Sequence, residues 1–443
     1  MIEFEPTGLS EAFLGVPRID KGSESTIVAI SPAFPISGTQ IWALRLHNQF
    51  LNLLFMRLKL KHLCHPLRAA DAAKVLIAAR LNMRRLAVRG ERRFGRDPRF
   101  RLQSVTDGFV PRIDRSADTA LLERICTAYI KAVDQQQFVS GAYKASKWWE
   151  QVRQASLGPV MHALLNHDID ALRRAYRNFF RDPCSTGLIG VPYGMSRPYS
   201  DIQEDHRRLY LIDVLYRLDH WMEQTGGRFE WRDLAGPGIG NPFGVVIAGT
   251  LVEAGAEYRH YCARKMSSLL DSPKPTVAEI GGGFGGMAYY LLRDRPGVTY
   301  LDFDVPESLA LTSYYLMKAF PRLTFLLYGE GALNKETVAG ADVVLVPLFE
   351  LAAMPPDSVD VTFSSHALSG ISREAMLEYL KHIARISKRC LINIGTSRSA
   401  RSLSDLIARN HDSLRLAEMR RSGWNKHKTL GGDEVECLYW IGQ

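Results

Sequence analysis

The sequence has little of what would make it a zinc, disulfide or membrane protein. Its 443 residues hold six cysteines, Cys64, Cys126, Cys184, Cys262, Cys390 and Cys437, far apart and with no CxxC pair. That spacing argues against both a zinc site and a disulfide framework, and it suits a reducing compartment. No uncharged apolar run reaches the roughly 18 residues that a membrane-spanning helix needs. The opening residues, MIEFEPTGLSEAFLG, carry acids where a secretory signal would carry basic residues. A soluble, cytoplasmic protein is therefore expected. Internal repeats and low-complexity segments are also missing. No clustered carboxylates announce a divalent-metal site, so metal independence is expected.

What is present is an ordinary globular composition. Hydrophobic residues make up 46% of the chain, ample for sizeable cores, and the length suggests two or three domains. The formal net charge is +9, but Met56 to Arg101 alone holds fourteen Lys or Arg against three acids, a net of +11. Such a segment is either a solvated helix face or a surface for phosphate, anionic lipid or nucleic acid. Just before and within it, WALRLHNQFLNLLFMRLKLKHL (42–63) spaces apolar residues as an amphipathic helix. Such a helix packs as core or lies on a membrane surface, so 42–101 is the place for any peripheral membrane contact.

Residues 1–240 read as a mostly α-helical N-terminal region that binds substrate or a partner, with helical patterns at 69–88, 118–181 and 201–223. ERRFGRDPRFR reads as an exposed connection, and Trp148, Trp149, Phe179 and Phe180 as packing anchors. Gly and Pro crowd 226–244, which marks a loop or junction. A helix is expected over 245–270, holding EYRHYCARK.

The chain is organised around 277–307, VAEIGGGFGGMAYYLLRDRPGVTYLDFDVPE. It reads as a short buried strand, a glycine turn, a helix and a second strand ending in acid. Gly281, Gly283 and Gly285 permit a tight turn whose N–H groups approach a ligand at a helix N-terminus. Gly281, Gly283 and Gly286 also satisfy the dinucleotide fingerprint. The two readings part at Glu279: a pyrophosphate would be repelled there, whereas the ammonium and sulfonium of S-adenosylmethionine would be attracted. The second strand ends about 20 residues on, where this kind of fold places an acid on the ribose hydroxyls. Asp304 is the first choice for that acid and Asp302 the reserve.

EIGGGFGG (279–286), DVPESLALTSYYL (304–316) and FSSHALSGISREAMLEYL (363–380) resemble the corresponding segments of the sugar O-methyltransferase family, within the class I S-adenosylmethionine-dependent methyltransferases. The resemblance covers the C-terminal part of the chain well and the earlier part loosely. It implies an α/β fold: a Rossmann-like seven-stranded methyltransferase domain over 241–443, with a C-terminal antiparallel strand pair, after the mostly α-helical domain. Strand-like runs at 323–328, 341–347, 358–365 and 389–396, and two more around NKHKTLGGD, fit that plan. The cofactor is expected to be S-adenosyl-L-methionine, held by Glu279, Gly281, Gly282, Gly283, Phe284, Gly285, Asp304 and Val305. Ser364 joins this set, and Glu330, just beyond its strand, is the candidate for the adenine side. Tyr258, His260 and Tyr261 match a substrate-side segment of the family, and Gly240, Asn241 and Pro242 its Gly-Asn-Pro element. Where the family has an Asn and a Glu-Met pair around the third segment, this chain has Ser364 and Gly370-Ile371.

His366 directly follows the strand over 358–365, whose carboxyl end faces the ligand in such a fold. A sugar hydroxyl is a poor nucleophile until its proton is removed, and a histidine suits that task. The other reading of His366 is a side chain satisfying loop backbone. The acceptor is expected to be a small molecule or glycan, nucleotide- or lipid-linked forms included; the oligomeric state is not legible. An RNA methyltransferase is the alternative suggested by the pI of about 9.2. However, SSHA stands where base N-methyltransferases often carry an Asn/Asp-Pro-Pro-Tyr-like element, so nucleic acid is not the expected partner. A non-catalytic adaptor of the same fold, docking on a membrane or a biosynthetic complex, is the other.

Overall fold

The computed structural model describes residues 81–190, 204–368, 371–411, 413–428 and 434–442. The amphipathic stretch over 42–63 and residues 56–80 of the basic segment lie outside the described residues.

The first described helix, α1 (81–94), buries Leu86 and Phe94. α2 (Leu102–Gly108) and α3 (Thr119–Gln136) follow, then the short α4 (Lys147–Val152), α5 (Gly158–Leu165) and α6 (Ile169–Tyr176). The long α7 (Glu204–Gln224) buries Leu211, Leu215, Leu218 and Trp221 on one stripe, as a core-facing helix must. The Arg-rich connection after α1 is not simply exposed. Phe94 packs edge-on against Tyr216, 4.9 Å between ring centres. Arg93 and Arg99 reach Asp219 of α7 at 2.6 and 2.8 Å.

The expected helix over 245–270 is half wrong. Its first part is a hairpin, β1 (Gly244–Ile247) against β2 (Thr250–Glu253), and only α8 (Ala256–Ser267) is helical. The β-branched run of Val245, Val246 and Ile247 favours strand. Ala248 and Gly249 both take positive φ, 48° and 79°, the turn that a two-residue hairpin requires. The Gly-Asn-Pro element just before it is a staple: Asn241 accepts from the Arg112 N–H at 2.7 Å and donates to Asn178 at 2.9 Å.

The main sheet alternates strand and helix: β3 (Thr276–Ile280), α9 (Gly286–Asp294), β4 (Thr299–Asp304), α10 (Pro306–Ala319), β5 (Phe325–Leu327), α11 (Lys335–Ala339), β6 (Val343–Pro347) and β7 (Val359–Ser365). α12 (Arg373–Ile386), β8 (Ser387–Thr396), α13 (Ser397–Asn410), β9 (Leu414–Arg421) and β10 (Glu434–Ile441) complete it. The strand order is β5-β6-β4-β3-β7-β8-β10-β9. β3 to β8 pair in parallel, and β10 inserts antiparallel between β8 and β9. The sheet thus has eight described strands, one more than expected. The fully buried VVLVP run lies inside, beside β4, while the three residues of β5 form the edge.

Alternate residues of the strands feed two cores. Val277, Tyr300, Val343 and Phe363 face α8, α9, α10 and the N-terminal helices in one continuous cluster. Ala278, Leu301, Val344 and Leu391 face α12 and α13 in the other. The carboxyl ends of β3, β4 and β7, and the loops after them, meet along one rim of the sheet.

Candidate active site

The turn after β3 is built around acids. Gly281, Gly283 and Gly285 all have positive φ. The Gly282 N–H donates to Asp302 Oδ1 at 3.0 Å and the Gly283 N–H to Asp304 Oδ2 at 3.1 Å. Asp304 also accepts from the Val305 N–H at 2.7 Å and from Ser308 Oγ at 2.5 Å. A side chain on Gly283 would press its Cβ to 2.5 Å from the carbonyl oxygen of Leu188. Phe284 is buried among Phe179, Phe180 and Tyr315, with the Arg259 guanidinium 5.1 Å from its ring centre. It anchors the turn on the helical region. Between the two aspartates, Asp302 is fully buried and Asp304 is 9% exposed. Asp304 is therefore the one able to reach a ligand, and Asp302 shapes the turn, its Oδ2 left without a partner.

Glu279 is buried and accepts a 2.6 Å hydrogen bond from the Tyr300 hydroxyl. Burial, with the nearby Asp304, pushes its carboxyl up to about 7. Burial likewise lifts Asp304 to about 6 and Asp302 well above its ordinary value. Among the described residues no Lys or Arg forms an ion pair with any of the three. A cluster of buried acids without a counter-charge disfavours a pyrophosphate and fits a cationic ligand with hydroxyls to bind. S-adenosylmethionine has both.

His366 follows β7 with φ 65°, a left-handed conformation that a non-glycine residue holds only when its surroundings fix it. Its N–H donates to the Ile394 carbonyl at 2.8 Å. Its Nε2 lies 3.5 Å from Glu434 Oε1 at the start of β10, and the ring is half-buried. Burial alone would lower the imidazole's pKa, but the Glu434 carboxylate outweighs it, and the net direction is up. Glu434 in turn is held below its ordinary value, against its own burial, by His366, Arg217 and Lys428. Beside this pair Tyr258 shares a 2.8 Å hydrogen bond with Ser365 and packs edge-on against Trp424 at 5.4 Å. The buried Trp424 indole N–H and Asn425 Oδ1 have no partner. Ser364 is spent on the scaffold, donating to the Ile280 carbonyl at 3.1 Å, and so ties β7 to the end of β3.

Three expected site residues stand elsewhere. Glu330 is clamped by Arg124 at 2.6 and 2.8 Å and accepts from the Leu327 N–H at 2.7 Å. It follows edge strand β5, and β6 lies between that strand and β4, so Phe349 and Glu350, just after β6, follow the strand that pairs with the Asp304 strand. His260 sits two residues from Tyr258, on the other side of α8. There Trp221 donates to its Nδ1 at 3.1 Å, and burial pushes its pKa down to about 4. It is a neutral core histidine. Tyr261 donates to Glu436 at 2.8 Å and accepts from Arg420 at 2.6 Å, a network that fastens α8 to the terminal strands.

Glu434, Trp424, Arg217 and Lys428 gave no local sequence signal, because they come from β10, the loop before it, and α7. That loop folds inward: His427 meets Asp213 of α7 at 2.5 Å and Lys428 meets it at 3.0 Å. The one hint is NKHK itself: Asn425, Lys426 and His427 can close over a substrate, but such a run reads first as a surface loop.

No protein-family model and no curated protein matches the chain. Its fold is similar to those of solved S-adenosylmethionine-dependent methyltransferases, over 41–52% of its length. One, from Aquifex aeolicus, is 13% identical over 41% of this chain and 89% of its own, with a TM-score of 0.29. The magnesium protoporphyrin IX methyltransferase of Synechocystis PCC 6803, solved with bound S-adenosylmethionine, is 15% identical over 42% of this chain and 80% of its own, with a TM-score of 0.29. The mitomycin 7-O-methyltransferase is 15% identical over 42% and 55%, with a TM-score of 0.28.

Proposed function

We propose that the chain is an S-adenosylmethionine-dependent O-methyltransferase acting on a hydroxyl of a sugar or glycan. The observation that carries the reading is the pairing of two sites on one sheet rim. One is the glycine turn, ringed by Glu279, Asp302 and Asp304 without counter-charge; the other is the His366–Glu434 pair at the end of the adjoining strand β7. S-adenosylmethionine, when bound, supplies an electrophilic methyl group on sulfur. Glu279 favours its cationic end, Asp304 accepts from its ribose hydroxyls, and the glycine turn leaves room for close approach. His366 takes the acceptor's proton, and Glu434 stabilises the imidazolium that results. Most of the acceleration would come from holding the hydroxyl and methyl in line, with about 10²- to 10⁴-fold from the base. Tyr258, Trp424 and Asn425 face the acceptor.

A cytoplasmic location belongs to this proposal. Cys126, Cys184, Cys262, Cys390 and Cys437 are buried and unpaired, and no helix among the described residues is long and apolar enough to cross a membrane. The test is calorimetric titration of the full chain with S-adenosylhomocysteine, beside Glu279→Ala and Asp304→Ala. Micromolar binding weakened in both variants supports the reading and justifies an acceptor screen. A folded wild-type protein that does not bind overturns it and shifts the weight to a non-catalytic adaptor.

A further inference from the structure

Helix α1 packs on the molecule by one face and leaves the other to solvent. Leu86, Gly90 and Phe94 are buried, and Met83 and Ala87 are half-buried beside them. At about 3.6 residues per turn these five share one side. The opposite side carries Leu81 and Val88 along its middle, 48% and 50% exposed, flanked by the exposed Arg84, Arg85, Arg89 and Arg92. Arg96 is exposed in the turn that follows. Among the described residues the guanidiniums of Arg84, Arg85, Arg92 and Arg96 make no ion pair or hydrogen bond. Elsewhere in the fold Arg153, Arg173 and Arg217 are each held by a carboxylate. Glu91, the one acid of α1, is answered by Arg208 at 3.2 Å. Aliphatic side chains in the middle of an arginine face fit a bilayer surface: they enter the headgroup boundary while the guanidiniums meet lipid phosphates. A single-stranded nucleic acid would call for aromatic side chains under its bases, and this face has none, since Phe94 is turned inward against Tyr216. The same helix touches a wall of the candidate active site. Arg89 donates to the His427 carbonyl at 3.3 Å, and Tyr216 stacks on His427, 4.8 Å between ring centres.

We propose that the outer face of α1, together with Arg96, docks the protein on an anionic lipid bilayer, with Leu81 and Val88 at the headgroup boundary and the arginines on lipid phosphates. Docking by this face holds the loop of Trp424, Asn425 and His427 beside the membrane. It does not rest on the methyltransferase reading.

The test sediments the full chain with vesicles of phosphatidylcholine alone and of equal parts phosphatidylcholine and phosphatidylglycerol. It compares the wild type with Arg84→Gln/Arg85→Gln/Arg92→Gln/Arg96→Gln and with Leu81→Ser/Val88→Ser. The wild type should bind the anionic vesicles and not the neutral ones, and less tightly as salt is added. The arginine variant should bind about 100-fold more weakly or worse, since each basic residue at such a surface contributes about fivefold. The aliphatic variant should weaken by about tenfold. Should the arginine variant lose its thermal transition, the aliphatic variant carries the comparison. Equal vesicle binding by the wild type and either folded variant, or none by the wild type, overturns the proposal. Tighter binding of single-stranded oligouridylate than of anionic vesicles also overturns it, in favour of nucleic acid. S-adenosylhomocysteine titrated in parallel should bind the wild type and the arginine variant equally. A protein that ignores it yet sediments through the arginines keeps the docking face and rejects the methyltransferase.

Discussion

Glu434 Oε1 stands 3.5 Å from His366 Nε2, so the last strand of the sheet sets the charge state of a histidine that follows β7. A base must be unprotonated to act, and Glu434 raises the imidazole's pKa. The acid limb of the rate profile is therefore expected above the ordinary histidine value. In Glu434→Gln it should move to lower pH, with a lower maximal rate, whereas His366→Ala should lose about 10²- to 10⁴-fold. A pH–rate series across the three proteins decides it; an unmoved acid limb in Glu434→Gln would show that His366 is not the base.

Proton release should accompany cofactor binding. The folded-state value of Glu279, about 7, is raised from 4.5, so near pH 6.5 the folded protein holds a proton there that the unfolded chain has released. A cationic ligand favours the carboxylate and should expel that proton. Binding heats measured at pH 6.5 in two buffers of different ionisation enthalpy should differ in the wild type and differ less in Glu279→Gln, with Asp304, raised to about 6, supplying the remainder.

The same shift fixes a stability trend. Because the folded state binds the extra proton, the Glu279 contribution falls as pH rises from 4.5 through about 7. Glu279→Gln should remove it, so the variant should gain stability relative to wild type at pH 8 and not at pH 4. Denaturant melts at the two pH values check the sign.

Gly283→Ala should damage the turn. Position 283 has φ 66°, and a Cβ there would lie 2.5 Å from the Leu188 carbonyl oxygen. Backbone strain alone costs about 1–3 kcal/mol, and the clash adds to it. The variant should melt earlier and bind S-adenosylhomocysteine weakly; wild-type affinity would show that the turn does not shape the cofactor site.

At the start of α10, the buried Glu307 accepts from Trp149 at 2.5 Å and from Arg153 at 2.6 and 3.0 Å. Glu307→Ala would leave the Trp149 indole and two Arg153 donors unpaired, with Glu150 at 2.7 Å as the remaining partner of Arg153, a loss of about 1–3 kcal/mol. Arg153→Met/Glu307→Leu together should recover part of it. Urea unfolding of single and double variants measures the difference.

The sequence by itself determined the elements whose chemistry is local. The glycine turn, the acids at Glu279 and Asp304, the strands on either side and the antiparallel ending were all legible, because turn geometry, buried apolar runs and alternation act between near neighbours. The hairpin over 244–253 was missed although β-branched residues flank an Ala-Gly turn, since a short apolar run by itself suits helix and strand alike. Tertiary structure alone decided which of two apolar runs, 325–327 or 343–347, lies beside β4, and with that the place of Glu330. It alone turned Tyr258 toward Ser365 and His260 toward Trp221. It also brought Glu434 to His366 from 68 residues further along the chain. Burial and charge at a site are set by what packs against it, and those contacts are distant in the chain.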